Sequence, residues 1–404
     1  MRICFVYDSE YPWDVRVEKM CRTLHSHGHQ VFLVCRNRQA RPLRSPFSYG
    51  TICRMPHVGT STLTHLINAT LFFNPFWIGR IAQIVVQHRC HVVIVRDLPL
   101  ALAAIGSAKI AGRPCIVDMA EPYPLTVLQR RQLDPPRWHS ALTRSYSLAL
   151  AVERLVVRCA AHIFTVCEEA SDRLIVAGAQ PHQITLVRNT PNLNDFQNTS
   201  PSFPGIMKRL KGSFIALYAG MIFGSRGIDT ALLAMKKCAE VTSNIRLVIV
   251  GTGTLETQMR NLAYRLGLLN NSVFFEGWVD HENITDYIAS CDVGLLPFHD
   301  TRHINTTIAN KLFDFMALDK PVICSNVSPM RRIIAETSAG VLFEPGNPDD
   351  LAAKILEVRS SPLNGAGRGL EAVFRKYNWG HDESRLLEAL GTLVQGHTHA
   401  GRPR

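Results

Sequence analysis

The stretch ALYAGMIFGSRGIDTALLAM, residues 216–235, decides the fold, because it contains one complete unit of strand, loop and helix. Its apolar run ends at Gly220, a short loop carries Arg226 and Gly227, and a helix is predicted to begin at Ile228. A continuous apolar run indicates a strand that is buried on both faces, as in parallel sheets whose strands are joined by helices. Repetition of this unit along the chain would give a layered α/β protein.

The unit does repeat, in two series. The first series contains the predicted strands RICFVYD (2–8), QVFLVCR (30–36), VVIVRD (92–97), CIVDMA (115–120), HIFTVC (162–167) and ITLVRN (184–189). The second contains SFIALYAG (213–220), IRLVIVG (245–251), SVFFEG (272–277), VGLLPF (293–298), PVICSN (321–326) and VLFEP (341–345). Residues 191–212, rich in Asn, Ser and Pro, predict a linker. We therefore predict two doubly wound Rossmann-like domains, residues 1–190 and 213–376, facing each other across a cleft that binds ligand at the carboxyl ends of the strands.

Composition places the chain among globular proteins of two domains, since it has 404 residues, 46% of them hydrophobic and 19% charged. Its 11 cysteines are scattered without a CxxC pair, which predicts reduced thiols in a cytoplasmic protein and neither a disulfide framework nor a zinc site. The first residues read as a buried strand instead of a signal peptide. No run reaches the roughly 18–20 apolar residues that a membrane crossing requires.

The net charge of +11 is concentrated in the first half, where residues 1–200 carry 22 basic and 13 acidic side chains. Residues 19–96 contain no acidic residue, and they include the aromatic-rich segment THLINATLFFNPFWIGRIAQIV (64–85). One interpretation is a buried helix pair beneath a basic surface. Another is peripheral attachment to the anionic inner face of a membrane. A nucleic-acid partner is the third, although no nucleic-acid-binding motif is present.

Two glycine-containing loops follow strands of the second series. The segment RLVIVGTGTLETQM (246–259) places Gly251 and Gly253 after a strand, but Glu256 stands where a dinucleotide fingerprint has its third glycine, so NAD binding is a weak alternative. Such glycines bring the backbone close to a phosphate or a base. In the other loop, Arg226 presents a guanidinium group that suits a phosphate, the alternative being a surface arginine.

The stretch TIANKLFDFMALDKPVI (307–323) places charged side chains at the start of a predicted apolar helix, which we expect to begin near Thr307. The helix dipole and Lys311 both favour an anion there. Asp314, one turn later, can accept hydrogen bonds from two sugar hydroxyls. One helix end could therefore hold a diphosphate and a ribose. His281, His299 and His303 lack metal-ligand spacing, and we expect them to be solvated loop residues.

In this order, these segments resemble the GT-B glycosyltransferases of the large retaining family GT4, and in particular a polysaccharide-assembly branch. The resemblance covers nearly the whole chain. In the second half it rests on AGMIFGSRGID, VIVGTGTLE, VFFEGWVDHENITDYIASCDVGLLP, NKLFDFMALDKPVI and SAGVLFEPGNPDDLA. In the first half it rests on SEYPWDVRVEKMCRTLHSHGHQVFLVC and CIVDMAEPYP. The tail KYNWGHDESRLLEAL (376–390) resembles the family's final helix, here expected over 377–395, which crosses back to the first domain.

The resemblance implies a site and an activity. Arg226 and Lys311 would bind the donor diphosphate and stabilise the leaving group, and Asp314 would bind the ribose. Glu121 would be the acid–base or orienting residue on the acceptor side, the alternative being a helix-capping or ion-paired acid. Donor-side residues would further include Gly220, Gly253, Gly277, Trp278, Val279, Thr306 and Asn310. Arg16 and Asp118 would lie on the acceptor or phosphate side, although a structural arginine is an equal interpretation of Arg16.

The implied reaction moves a hexose-type sugar, with retention, from a UDP-, GDP- or ADP-linked donor to a glycan or lipid-linked acceptor of a cell-surface polysaccharide or glycolipid. No cofactor or metal is expected. The chain departs from the family pattern at Thr306, Ala120 and Met221, where the family has glutamate, histidine and arginine. A catalytically silent glycosyltransferase-like subunit therefore stays an alternative, as does a related sugar-nucleotide epimerase or a phosphorylase.

Overall fold

The computed structural model describes the chain apart from Trp13, Thr60, Leu71 and residues 134–144, 197–200, 362–366 and 401–404. The chain forms two compact units. Unit 1 comprises Met1–Arg188 and Asp382–Arg404, and unit 2 comprises Asn189–His381. Residues 197–200, which belong to the predicted linker, are among those that the structure does not describe. The rest of that segment contains the short 3-10 helices Leu193–Phe196 and Gly205–Leu210.

Unit 1 is built on an eight-stranded sheet in the order β3-β4-β2-β1-β5-β6-β7-β8. Its strands are β1 (Arg2–Val6), β2 (Gln30–Cys35), β3 (Arg44–Phe47), β4 (Gly50–Arg54), β5 (Val92–Arg96), β6 (Cys115–Asp118), β7 (His162–Thr165) and β8 (Ile184–Leu186). Its helices are α1 (Val15–Ser26), α2 (Ser61–Ile67), α3 (Pro75–Gln87), α4 (Ala101–Ile110), α5 (Tyr123–Leu133), α6 (Tyr146–Cys159) and α7 (Glu168–Ala177). Every pairing is parallel except that of β3 with β4.

Unit 2 is built on a six-stranded parallel sheet in the order β11-β10-β9-β12-β13-β14. Its strands are β9 (Phe214–Ala219), β10 (Ile245–Val250), β11 (Val273–Gly277), β12 (Val293–Leu296), β13 (Val322–Ser325) and β14 (Gly340–Phe343). Its helices are α8 (Ile228–Val241), α9 (Glu256–Arg265), α10 (Ile284–Ser290), α11 (Asn310–Ala317), α12 (Ser328–Thr337), α13 (Pro348–Ser360) and α14 (Arg368–Arg375). The last helix, α15 (Trp379–Ala400), groups with unit 1 from Asp382 onward.

The strands form where apolar residues run without interruption. The four residues Val293–Leu296 of β12 are fully buried, and so are all five residues Val92–Arg96 of β5. Because both faces of each parallel strand are covered by helices, neither face tolerates a regular polar alternation. All the predicted strands are present, and the α/β fold class is confirmed.

One element was not predicted, and the start of one helix was predicted wrongly. The antiparallel hairpin of β3 and β4 was not predicted, because RSPF contains a proline and lacks the apolar run of the other strands. The helix expected from near Thr307 begins at Asn310, after a separate 3-10 turn over Ile304–Thr306. Lys311 consequently lies in the first turn of α11.

Candidate functional site

The loops that follow β9, β10, β11 and β12 lie at one edge of the unit 2 sheet, because these four parallel strands are neighbours. The loop after β10 packs directly on the loop after β9. A Cβ atom at Gly251 would lie 2.0 Å from the Gly220 carbonyl oxygen, and one at Gly253 would lie 2.2 Å from the Ile222 carbonyl oxygen. The two glycines predicted to approach a ligand therefore also allow the two loops to touch.

Arg226 ends a 3-10 turn between β9 and α8, and its guanidinium group lies 4.7 Å from the centre of the Phe298 ring. Gly227, which follows it, has a φ of +65°, and a Cβ atom there would lie 1.7 Å from the Pro297 carbonyl oxygen. Only glycine fits this position. The loop after β9 is thus held against the residues that follow β12, and the planar guanidinium stacks on an aromatic face there.

The charged pair in α11 is the second element at this edge. The Lys311 ammonium nitrogen lies 2.6 Å from an Asp314 carboxylate oxygen, and the two side chains are 18% and 11% exposed. No side-chain hydrogen bond caps the start of α11 at Ala309. Phe315 fixes the helix on the sheet, because a Cβ atom at Gly294 of β12 would lie 2.6 Å from its ring. The first turn therefore presents N–H groups and an ammonium group together, an arrangement that favours anions.

His299, three residues beyond β12, forms an ion pair that the sequence did not reveal. Its Nε2 atom lies 3.0 Å from an Asp229 carboxylate oxygen in the first turn of α8. The Asp229 hydrogen bond raises the pKa of His299 above its ordinary value. Burial alone would raise the pKa of Asp229, but the hydrogen bond and the charge of His299 lower it below its ordinary value. The expectation of a solvated loop residue is wrong for His303, which is buried. His299 lies in a loop with its side chain 30% exposed, but it has a partner that was not predicted.

The other predicted donor residues have various surroundings. Gly277 ends β11, and its carbonyl accepts a 2.7 Å hydrogen bond from the Gly251 N–H group. Trp278 is 53% exposed, and Val279 is half-buried. The Thr306 hydroxyl donates to the Arg302 carbonyl over 3.0 Å, and Asn310 is exposed.

In unit 1, the predicted residues Arg16 and Asp118 bind each other. Two guanidinium nitrogens of Arg16 donate to the Asp118 carboxylate, Nε over 2.9 Å and the terminal NH2 nitrogen over 2.6 Å. Arg16 is 2% exposed and Asp118 is 0% exposed. Asp14 caps α1 by accepting the N–H groups of Arg16 and Val17, and this cap positions the arginine. The bidentate pair holds the start of α1 to the carboxyl end of β6.

A second arginine completes this cluster. Arg96, the last residue of β5, lies 2.8 Å from an Asp97 carboxylate oxygen and 3.8 Å from one of Asp118. Burial raises the pKa of Asp97 to about 8, opposed by Arg96 and reinforced by the Glu121 and Asp118 carboxylates. The exposed Glu121 donates its backbone N–H group to Asp97 over 3.1 Å. Asp97 is thus a carboxyl group with a raised pKa beside the predicted Glu121. The strand VVIVRD ends in this Arg-Asp pair, a signal that the sequence analysis did not use.

Metal ligands do not cluster in the part of the chain that the structure describes, since no group of three or more His, Cys, Asp or Glu residues is close enough to hold an ion. All 11 cysteines are free thiols, and every one except the half-buried Cys159 is buried. Among the described residues, no helix combines the length and the apolarity that a membrane crossing requires.

Comparison with known families matches both halves. Residues 14–190 match the glycosyl transferase 4-like domain, and residues 204–377 match the glycosyl transferases group 1. The chain belongs to the group 1 (GT4-type) glycosyltransferases. The first match ends at residue 190, two residues beyond the boundary of the structural units at Arg188 and Asn189, and the second begins at residue 204.

Among curated relatives of this glycosyltransferase, the phosphatidyl-myo-inositol mannosyltransferase of Mycobacterium leprae is 28% identical over 172 residues, covering 42% of this chain and 44% of that protein. The capsular polysaccharide biosynthesis glycosyltransferase CapM of Staphylococcus aureus is 23% identical over 219 residues, covering 52% of this chain and 55% of that protein. An archaeal glycosyltransferase of Methanocaldococcus jannaschii is 28% identical over 169 residues, covering 40% of this chain and 41% of that protein. The matched segments thus span about half or less of these relatives.

Solved structures show the fold. Sucrose-phosphate synthase from Thermosynechococcus elongatus superimposes with a TM-score of 0.76 at 16% identity, over 98% of this chain and 99% of that one. The HepE protein of Anabaena, solved in complex with UDP and glucose, superimposes with a TM-score of 0.72 at 15% identity, over 97% of this chain and 100% of that one. The glycosyltransferase has the GT-B fold.

Proposed function

We propose that this protein is a retaining glycosyltransferase that moves a hexose-type sugar from a nucleotide-sugar donor to a glycan or lipid-linked acceptor in the synthesis of a cell-surface polysaccharide or glycolipid. The observation that carries the proposal is the pairing of Lys311, in the first turn of α11, with Asp314 one turn later, at the sheet edge that also holds Arg226. Family membership and the names of the curated relatives support the reaction class.

The chemistry of the donor follows from these charges. Cleavage of the sugar–phosphate bond leaves growing negative charge on the nucleoside diphosphate. Positive charge that is fixed before the reaction is supplied by Arg226, Lys311 and the uncapped start of α11. Such preorganised charge usually makes the largest single contribution to stabilising the transition state. Asp314 would accept the ribose hydroxyls once the diphosphate draws Lys311 away from it. These groups would stand in for a metal ion, and we propose that none is needed.

On unit 1, the proposed acid–base or orienting group is Glu121, with Asp97 as its partner. Glu121 is exposed at the carboxyl end of β6, so it can reach an acceptor hydroxyl. Asp97 has a pKa raised to about 8, which suits it to exchange protons near neutral pH. Arg16 and Asp118 would keep this cluster in place without contacting the acceptor.

The test is a product assay with purified protein. UDP-, GDP- and ADP-hexoses are supplied with a lipid-linked acceptor extract and EDTA, and products are separated by mass. A new glycoside with the donor's anomeric configuration, determined by NMR, would support the proposal. Formation of an epimer, or cleavage only in the presence of phosphate, would assign the protein to another activity. Binding of donor without any turnover would favour the silent subunit.

We also propose that unit 1 attaches to an anionic membrane surface. Helix α3 buries Trp77, Ile81, Ile84 and Val85, as the buried-helix interpretation expects. The neighbouring Leu63, Leu66, Phe73 and Phe76 nevertheless stay exposed, Phe73 at 67%. Arg36 donates to Thr70 in the same segment, so basic and apolar groups share this part of the surface. Basic residues near a bilayer contribute about 1 kcal/mol each, and apolar side chains can enter the headgroup region.

Vesicle sedimentation tests this attachment. Replacing Arg36, Arg38, Arg41 and Arg44 with serine, or Leu66 and Phe73 with serine, should release the protein from vesicles rich in phosphatidylserine. The same number of replacements in unit 2, at the exposed Lys208, Arg209, Lys211 and Lys236, is the control and should leave binding unchanged. If the Leu66/Phe73 variant bound the vesicles as well as the wild type, this segment would not be part of the membrane contact.

A further inference from the structure

Unit 1 contains a cavity of about 780 Å³ that the proposed reaction does not use. It lies at the amino ends of the strands, since Cys115 and His162, the first residues of β6 and β7, line it. Asp118 is the last residue of the same strand β6, at the opposite, carboxyl edge of the sheet. With a rise of about 3.3 Å per residue, the two ends of β6 are roughly 10 Å apart. The cavity is therefore distinct from the charged cluster at the carboxyl edge.

Small side chains explain why the cavity exists. Ala108 on α4, Ala161 before β7, and Ala389 and Gly396 on α15 line it. A Cβ atom at Gly396 would meet no other atom within 4 Å. Larger apolar walls come from Ile105 and Leu393, together with Cys115. Its volume falls in the range of about 300–1,000 Å³ that small-molecule sites occupy.

The charges around the cavity are mainly positive. Lys109, Arg113 and Arg385 line it, with Glu388 as the one carboxylate in the described lining. Lys109 and Arg113 form no ion pair with any residue that the structure describes, whereas Arg385 lies 3.2 Å from Asp382. Two histidines, His162 and His182, add donors from β7 and the following 3-10 helix. The lining thus combines basic side chains with apolar walls. Such a lining suits an amphiphilic ligand that has an anionic part and an apolar part.

We propose that this cavity binds an anionic amphiphile, with its phosphate monoester head at Lys109, Arg113 and Arg385 and its apolar chain along Ile105 and Leu393. The ligand is not the sugar acceptor of the proposed reaction, because the cavity lies at the amino ends of β6 and β7, whereas the proposed acceptor-side residue Glu121 follows the carboxyl end of β6. It would bind as a second ligand whose occupancy can be measured without any sugar transfer.

Cys159 supplies a direct probe of occupancy. It lines the cavity and is the one cysteine of the chain that is not buried. Burial raises the pKa of other thiols, such as Cys115 and Cys324, so their thiolate forms are scarce. A maleimide should consequently label Cys159 alone in the folded protein, and a Cys159→Ala variant should resist labelling.

The experiment measures the rate of N-ethylmaleimide labelling of the full chain by intact mass. Decyl phosphate, kept below its micelle concentration, should slow labelling at least five-fold. Glycerol phosphate, which has the head alone, and decyl maltoside, which has the chain without the charge, should not. Vesicles with phosphatidic acid then separate the sources, since protection by vesicles indicates a membrane lipid and its absence indicates a soluble phosphate.

Two variants test the place of binding. Arg113→Ala removes a charge at the rim, Ala389→Trp fills the volume, and either should abolish protection by decyl phosphate. Arg154→Ala, an exposed arginine on α6 outside the lining, is the matched control and should keep it. No protection by decyl phosphate, equal protection by decyl maltoside or glycerol phosphate, or protection that survives both lining variants would overturn the proposal.

Discussion

Arginines at the carboxyl edges of the two sheets have opposite surroundings. In unit 1, Arg16 is 2% exposed and is bound by both oxygens of Asp118. In unit 2, Arg226 is half-buried and its guanidinium group lies 4.7 Å from the centre of the Phe298 ring, and the paired Lys311 and Asp314 side chains are 18% and 11% exposed. The first arrangement satisfies its charge within the protein, and the second keeps cationic groups where a ligand can reach them.

The difference separates two uses of charge. A buried ion pair costs several kcal/mol per ion in desolvation and regains it only through good geometry, so its members are poor ligands for another molecule. The Lys311–Asp314 pair keeps some contact with solvent, its side chains being 18% and 11% exposed, so an incoming anion can compete with Asp314 for the lysine. We therefore propose that Arg16 and Asp118 position the cluster and that Arg226 and Lys311 bind the donor. Four substitutions test this proposal.

Asp118→Ala should have the largest effect. It leaves Arg16 and Arg96 buried with less compensation, so we expect a loss of about 3–5 kcal/mol in the free energy of unfolding. Urea unfolding followed by circular dichroism measures it. The exposed pair Arg375–Glu371 is the control, and Glu371→Ala should leave the midpoint unchanged. A double Arg16→Met, Asp118→Leu variant should regain at least half of the loss, and a small effect of Asp118→Ala would refute the positioning role.

Lys311→Ala should weaken binding of the nucleoside diphosphate about 100-fold, since a charged hydrogen-bond donor to the diphosphate is lost, equivalent to about 2.7 kcal/mol. Isothermal titration of the full chain measures it. The thermal midpoint should change by only a few degrees, because Lys311 lies in the first turn of α11 and its side chain is not part of the apolar core. Lys236→Ala on the exposed side of α8 is the control and should bind like the wild type. Unfolding of Lys311→Ala would instead place this lysine among structural residues.

Arg226→Lys should have a smaller effect than Arg226→Ala on the same titration. The lysine keeps the charge but loses the planar stacking on Phe298, so we expect roughly a ten-fold weaker affinity for the diphosphate. Arg209→Lys, at an exposed position before β9, tests for a general effect of the exchange. Wild-type affinity in Arg226→Ala would exclude this arginine from the donor site.

Asp229→Asn should have the smallest effect, less than about 1 kcal/mol in the free energy of unfolding. The raised pKa of His299 gives stability that is present below pH 6.5 and lost as pH rises through its folded pKa. The lowered pKa of Asp229 gives stability that is lost as pH falls below its ordinary range near 4. The wild type should thus be more stable than the variant from about pH 4 up to the raised pKa of His299, and an equal difference in stability at pH 5.5 and at pH 8.5 would contradict the ion pair.

The sequence predicted what local patterns encode. Unbroken apolar runs located the parallel strands, and the i to i+3 spacing of Lys311 and Asp314 placed both side chains on one face of a helix turn. Gly227 was predicted only as part of a loop, because its close contact with Pro297 joins segments that are 70 residues apart.

Long-range pairings account for what the sequence did not predict. Asp229 and His299 are separated by 70 residues, and Arg16 and Asp118 by 102. No spacing rule connects such residues before the strand order is known. The pKa of Asp97 likewise depends on burial and on Glu121 and Asp118 from another strand end. The sequence therefore suggested candidate residues, which stay predictions, but it did not show which residues pair with them.

The donor site can be tested by a thermal-shift screen of the wild type and Lys311→Ala against UDP, GDP, ADP, CMP and dTDP, with EDTA and with magnesium. We expect one nucleoside diphosphate to raise the thermal midpoint of the wild type in EDTA and to leave that of Lys311→Ala unchanged. No shift with any nucleotide, or the same shift in both proteins, would contradict a donor site built on Lys311.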